Sequence, residues 1–136
     1  MLQALRELQR AQGVTWDSEE LPVTFGYDAD GFEAVHRAAV LCDRSHWGVL
    51  QMTGADRLRF IHNQTTHSFT QRQPGEGCDT VFVTSTARTL DLATVYVTAE
   101  ALLLVVSPGQ DQPLLDWMDR FIFPASANTF VPLLFS

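Results

Sequence analysis

The sequence predicts an α+β fold, an antiparallel sheet with helices on one face. Two observations predict it. Apolar residues recur at helical spacing near both ends of the chain and at strand spacing between them. The elements run helix, helix, strand, helix, three strands, helix, a segregated order rather than a regular strand–helix alternation. No repeat or low-complexity tract interrupts this pattern.

Leu2, Leu5 and Leu8 share one face of a short amphipathic helix that ends at Gly13. Residues 13–30 hold Gly13, Pro22, Gly26 and several acids and read as a connecting arm. Asp30 stands three before Glu33, a capping-box-like start, and Phe32, Val35 and Ala39 give the next helix an apolar face to about Leu41. Val49 to Thr53 reads as a strand, and Thr53 with Asp56 opens a helix whose Leu58, Ile61 and Thr65 share a face. Gln71 to Gly77, with Pro74 and Gly75, is a loop. Three strands follow: Thr80–Val83, Leu90–Val97 and Leu102–Val106, the last an almost unbroken apolar run that suggests burial on both faces. Pro113 sits near the start of a final helix, where its missing N–H costs nothing; Leu114, Met118, Phe121 and Ile122 keep helical spacing until Pro124 closes it. The tail from Ser126 to Ser136 is apolar and uncharged, and Phe130 and Val131 suit one further strand. Exposed, this tail or its edge would be adhesive, which makes a homo-oligomer an expected partner arrangement.

The chain has 136 residues and a net charge of -7, which argues against unspecific binding to nucleic acid or to an anionic membrane. No apolar run approaches the ~20 residues of a membrane span. The first residues carry Glu7 and lack an apolar core, so no signal peptide is read there and the expected location is cytoplasmic. Cys42 and Cys78 are expected as small core residues, not a disulfide framework.

Several familiar arrangements fail on spacing. His62 and His67 are five apart, off the i, i+4 spacing of a helical metal site, and no metal is expected. Asp43, Ser45 and His46 are sequence neighbours without a nucleophile elbow around Ser45. His46 reads as a turn residue before it reads as a ligand. Gly75-Glu76-Gly77 lacks the Lys-Ser/Thr of a phosphate loop, and Arg57 and Arg59 read as a solvated helix face. Asp91 admits two readings: a carboxylate facing a pocket, or a cap for a nearby turn as an exposed strand-start residue.

Four segments in order carry a resemblance. They are Leu41-Cys42-Asp43-Arg44-Ser45-His46-Trp47-Gly48; Thr53-Gly54-Ala55-Asp56 with Phe60-Ile61 and Thr65-Thr66; Leu90-Asp91-Leu92-Ala93-Thr94-Val95-Tyr96; and Leu103-Leu104-Val105-Val106-Ser107. Together, from about His36 to Phe123, they resemble the glycine cleavage T-protein superfamily of folate-dependent aminomethyltransferases. The resemblance implies the N-terminal part of that fold and a tetrahydrofolate or folate-derivative ligand. It implies Trp47, Arg88, Asp91, Tyr96 and Ser107 as cofactor-binding positions, with Asp79 near the place of a pocket tyrosine. Leu92 stands where the family carries its catalytic acid, and a leucine neither accepts a proton nor pairs with a charge. Asp91 matches the non-catalytic partner acid, and residues 91 and 92 of a strand point to opposite faces. A folate-binding branch that maintains iron–sulfur enzymes and lacks the transferase acid resembles the chain better, its turn matching Ser85-Thr86-Ala87-Arg88. The Lys-Gly-Cys motif of that branch is not found in these residues.

The domain reading is residues 1–30 as helix and arm, 31–124 as a partial folate-binding domain and 125–136 as an atypical tail. Three functional readings follow: a folate-binding module without transferase activity, a divergent aminomethyltransferase using Asp91 as its catalytic acid, and a truncated fragment with an incomplete pocket.

Overall fold

The computed structural model describes residues 2–122 and 129–132, which fall into two compact units divided after His46.

The first unit opens with α1 (Leu2–Ala11), followed by β1 (Thr15–Trp16) and β2 (Pro22–Thr24) and by α2 (Asp28–Arg37). β1 and β2 form a small antiparallel hairpin inside the arm, where sequence reading expects only a connection. Two- and three-residue strands are too short for alternation to show. The Arg6 and Arg10 guanidiniums lie 6.0 and 5.8 Å from the centre of the Trp16 ring, and Arg6 pairs with Glu20, so the polar side of α1 holds the hairpin. α2 begins at Asp28 rather than at Asp30, without a side-chain cap, and it ends at Arg37. None of its residues is buried, and Phe32 is 70% exposed. Cys42 is exposed too, against the expectation of a core position.

The second unit holds β3 (Gly48–Thr53), α3 (Arg57–Gln64), β4 (Gly77–Val83), β5 (Thr89–Val97), β6 (Ala101–Val106), α4 (Asp111–Asp119) and β7 (Thr129–Pro132). The strands make one antiparallel sheet in the order β4-β5-β6-β3-β7. Alternation gives the sheet two unlike faces. Leu50, Met52, Phe82, Val95, Leu102, Leu104 and Val106 turn to one side, where Ile61 of α3 and Leu114 and Met118 of α4 bury against them. Cys78 packs at the border of this core. The other face carries Val49, Gln51, Asp79, Val81, Leu92, Thr94, Tyr96, Leu103 and Val105, all partly or largely exposed. β6 is therefore buried on one face only; its continuous apolar run does not mark a strand covered on both sides.

Two glycines explain two of the sequence motifs. Gly54 has a φ of 115°, which turns the chain from β3 into α3 and which a side chain would resist. Gly48 lets α4 approach the start of β3. A Cβ there would lie 2.8 Å from both Asp111 Cβ and Val106 Cγ2. Gly48→Ala is expected to lower the unfolding free energy by about 1–3 kcal/mol through this overpacking. A urea melt with an unchanged midpoint would contradict the close approach.

Candidate functional site

Asp43 shapes the turn in the first motif. Its Oδ1 accepts the Ser45 N–H at 2.7 Å, closing a turn, and its Oδ2 accepts from the buried Gln9 side chain of α1. Partial burial raises the carboxyl's pKa, but the Ser45 amide and hydroxyl, Gln9 and His46 outweigh it and hold the value below the usual carboxylate range.

The third motif is shaped by the register of β5. Asp91 pairs with Phe82 and Leu92 with Val81. A bulge shifts the ladder between Phe82 and Val83, with Val83 paired to Thr89, so Leu90 is the extra residue on β5. Because the bulge precedes Asp91, alternation from 91 onward is regular. Asp91 therefore shares the core face with Phe82 and is 7% exposed, whereas Leu92 stands on the open face at 57%.

Asp91 Oδ2 accepts the backbone N–H of Ser107 at 2.9 Å. This bond ties the middle of β5 to the residue that follows β6. The exposed strand-start position expected in one reading of Asp91 is not found, since the residue is buried.

Trp47 and Ser107 flank the last rung of the β3–β6 ladder, Gly48–Val106, and so lie at the same end of the sheet as Asp91. Arg88 is exposed in the β4–β5 turn at that end too. The turn is closed by Thr84 N–H to Arg88 O (2.9 Å) and Arg88 N–H to Thr84 Oγ1 (3.1 Å). It places Ala87 at a φ of 59°, a strained left-handed position for a residue with a Cβ. Tyr96 lies five residues along β5 from Asp91, about 17 Å away at strand rise, and on the opposite face. The structure thus gathers Trp47, Arg88, Asp91 and Ser107 at one end and sets Tyr96 apart with Leu92.

Tyr96 has its own support. It pairs with Gly77 of β4, and a Cβ on Gly77 would come within 2.9 Å of the Tyr96 ring. The missing side chain lets the ring lie across the neighbouring strand. Between Leu92 and Tyr96 on the same face, Thr94 Oγ1 donates to Asp79 Oδ1 at 2.6 Å across the β5–β4 pair.

A family model described as the GCVT N-terminal domain matches residues 3–131. The chain belongs to this family. The chain is 42% identical over 100 residues to a protein of Arabidopsis thaliana named as a chloroplastic transferase, At1g60990, covering 74% of this chain and 23% of that protein. It is 32% identical over 104 residues to an aminomethyltransferase of Bacillus licheniformis, covering 76% of this chain and 29% of that one. The chain thus spans less than a third of the length of these relatives. The crystal structure of the glycine cleavage system aminomethyltransferase T from Bartonella henselae matches with a TM-score of 0.77 at 18% identity, over 96% of this chain and 37% of that one, which shows the fold. Among the described residues, no helix is long and apolar enough to cross a membrane.

Sequence reading assigns Asp79 no part beyond standing near a tyrosine position; it takes Gly77 as a loop residue and gives Thr94 no part of its own. All three depend on the β4–β5 register. That register is set by the Thr84–Arg88 turn and the Leu90 bulge, neither of which alternation reveals.

Two outcomes check this geometry. Asp91→Ala, which leaves the Ser107 N–H without its acceptor, is expected to cost about 1–3 kcal/mol of stability in urea unfolding. Leu92→Asp, on the open face, should stay within about 0.5 kcal/mol. The reverse order would mean the opposite facing of β5. For Asp43 the folded pKa is lowered, so the stability it contributes is present above the unfolded pKa and is lost as pH falls through the lowered one. The Ser45 amide resonance should titrate with a midpoint below the usual carboxylate range, and Gln9→Ala should raise that midpoint. A midpoint at or above the usual range would refute the turn's hold on the carboxylate.

Proposed function

We propose that this domain binds tetrahydrofolate or one of its derivatives on the open face of the sheet and does not itself catalyse aminomethyl transfer. One observation carries the reading. On the face where Tyr96 is half exposed, the position four residues earlier is Leu92, and the acid beside it in sequence, Asp91, is turned inward and bonded to the Ser107 N–H. A ring stacked on Tyr96 finds aromatic and aliphatic surface there, but no β5 carboxylate.

The other assigned positions take supporting parts. Trp47 offers an aromatic surface and Arg88 an exposed cation for a folate carboxylate. Ser107 offers a hydroxyl, and Asp91 acts through Ser107 by fixing its backbone. The relatives named aminomethyltransferases support folate as the ligand class, since the T-proteins of glycine cleavage use tetrahydrofolate. The leucine at the acid position and the basic residue in the β4–β5 turn support the iron–sulfur maintenance branch. A transferase using Asp91 is less well supported: its carboxylate would have to release Ser107 and β5 would have to slip by one residue.

Calorimetry with tetrahydrofolate should show binding and thermal stabilisation, weakened about tenfold by Tyr96→Ala through lost stacking. An aminomethyl donor with tetrahydrofolate should yield no ammonia above background. Deleting the gene should lower the activity of iron–sulfur enzymes and leave glycine cleavage intact. Absence of folate binding sinks the ligand assignment, and turnover abolished by Asp91→Asn sinks the non-catalytic one.

A further inference from the structure

The open face of the sheet is apolar but not uncharged. Asp79 of β4 stands on it, directly across from Thr94 and two pairs along the ladder from both Val81–Leu92 and Gly77–Tyr96, the next pairs on the same face. Cross-strand and diagonal neighbours on one face lie within side-chain reach. A carboxylate therefore sits between the exposed Leu92 and the Tyr96 ring, although neither β5 position carries one.

We propose that Asp79 is the ligand-facing carboxylate of this sheet and that it receives a protonated amine. Three features support this. The Thr94 hydroxyl donates to Oδ1 at 2.6 Å, which orients the carboxylate and leaves Oδ2 to accept from a ligand. Among the described residues no arginine or histidine forms an ion pair with Asp79, so its charge is not already matched. The Tyr96 ring, which comes close to Gly77 two residues before Asp79 on β4, adds aromatic surface to the same face, and a cation gains from a carboxylate and a ring together. An anion is repelled at the same place, and a neutral ring alone leaves the carboxylate without a charged partner.

This inference rests on reading the open face as the ligand surface. It concerns binding: Asp79 holds a charge, and no proton transfer or bond cleavage is assigned to it. It moves the acid of the site from β5, where Leu92 stands, to the facing position on the neighbouring strand.

The test is an amide NMR titration of the whole chain with benzylammonium, with benzyl alcohol as its uncharged counterpart. Benzylammonium should shift the amides of Asp79, Thr94 and Tyr96 with saturable binding, and benzyl alcohol should bind about tenfold more weakly. Asp79→Asn, a conservative change at an exposed position, should remove the preference for the charged probe. Asp91→Asn should leave it intact. Thr94→Val, which frees the carboxylate without removing it, should weaken benzylammonium only a few-fold. Equal binding of both probes, or equal benzylammonium binding by Asp79→Asn and the parent, overturns the proposal. Tetrahydrofolate is titrated separately: folate binding without amine preference sinks the role of Asp79 alone, and amine preference without folate binding sinks the folate reading alone.

Discussion

The pairing of β5 between β4 and β6 decides what this domain can present to a ligand. A strand alternates its side chains with a period of two, so one fixed register assigns every residue of Thr89–Val97 to the core or to the open face at once. Two devices pin the register. Asp91 and Ala93, on the core face, are buried with Phe82, and sliding β5 by one step would bring Leu92 inward and expose Val95 and Val97. The Asp91 carboxylate also closes on the Ser107 N–H, joining β5 to the exit of β6. Burying a carboxylate is costly unless it is hydrogen-bonded. The bond to Ser107 thus makes the inward placement tolerable and leaves Leu92 outward.

Much of the fold is legible in the sequence. The apolar spacing of Leu58 and Ile61, and of Leu114 and Met118, marks the two helical faces that bury, because a helix packed on a sheet must carry such a stripe. The long central strands are also plain in the sequence. What failed has specific reasons. Thr15–Trp16 and Pro22–Thr24 are too short to show a period. Asp30 and Glu33 imitate a capping box inside a helix that has already begun at Asp28. Leu102–Val106 is a strand whose outward residues, Leu103 and Val105, are as apolar as its inward ones, so composition cannot tell one covered face from two.

The candidate site was legible in part, and the division follows the same logic. Alternation alone places Asp91 and Leu92 on opposite faces, and their motif position nominates Tyr96. What alternation cannot supply is which β4 residue stands across from which β5 residue. Thr84–Arg88 folds back with Ala87 in a left-handed conformation, and Leu90 adds an unpaired residue just after it. Either feature, moved by one residue, would put Cys78 or Thr80 rather than Asp79 beside Thr94. Asp79, 15 positions from Thr94 along the chain, becomes its cross-strand partner only through these two irregularities.

The outward apolar surface then has to be reconciled with its charge. Leu92 and Tyr96 are about half exposed, and Val49, Val81, Leu103 and Val105 add to the same side. Contiguous exposed apolar surface usually marks a binding face. On a purely apolar face any flat ring would do, and selectivity would be low, because hydrophobic contact discriminates weakly between ligands of similar shape. A single oriented carboxylate changes that. Asp79, steadied by Thr94, gives the face one position that favours a cation. The substitution of leucine for an acid on β5 therefore removes proton chemistry at one position without making the face indifferent to what it binds.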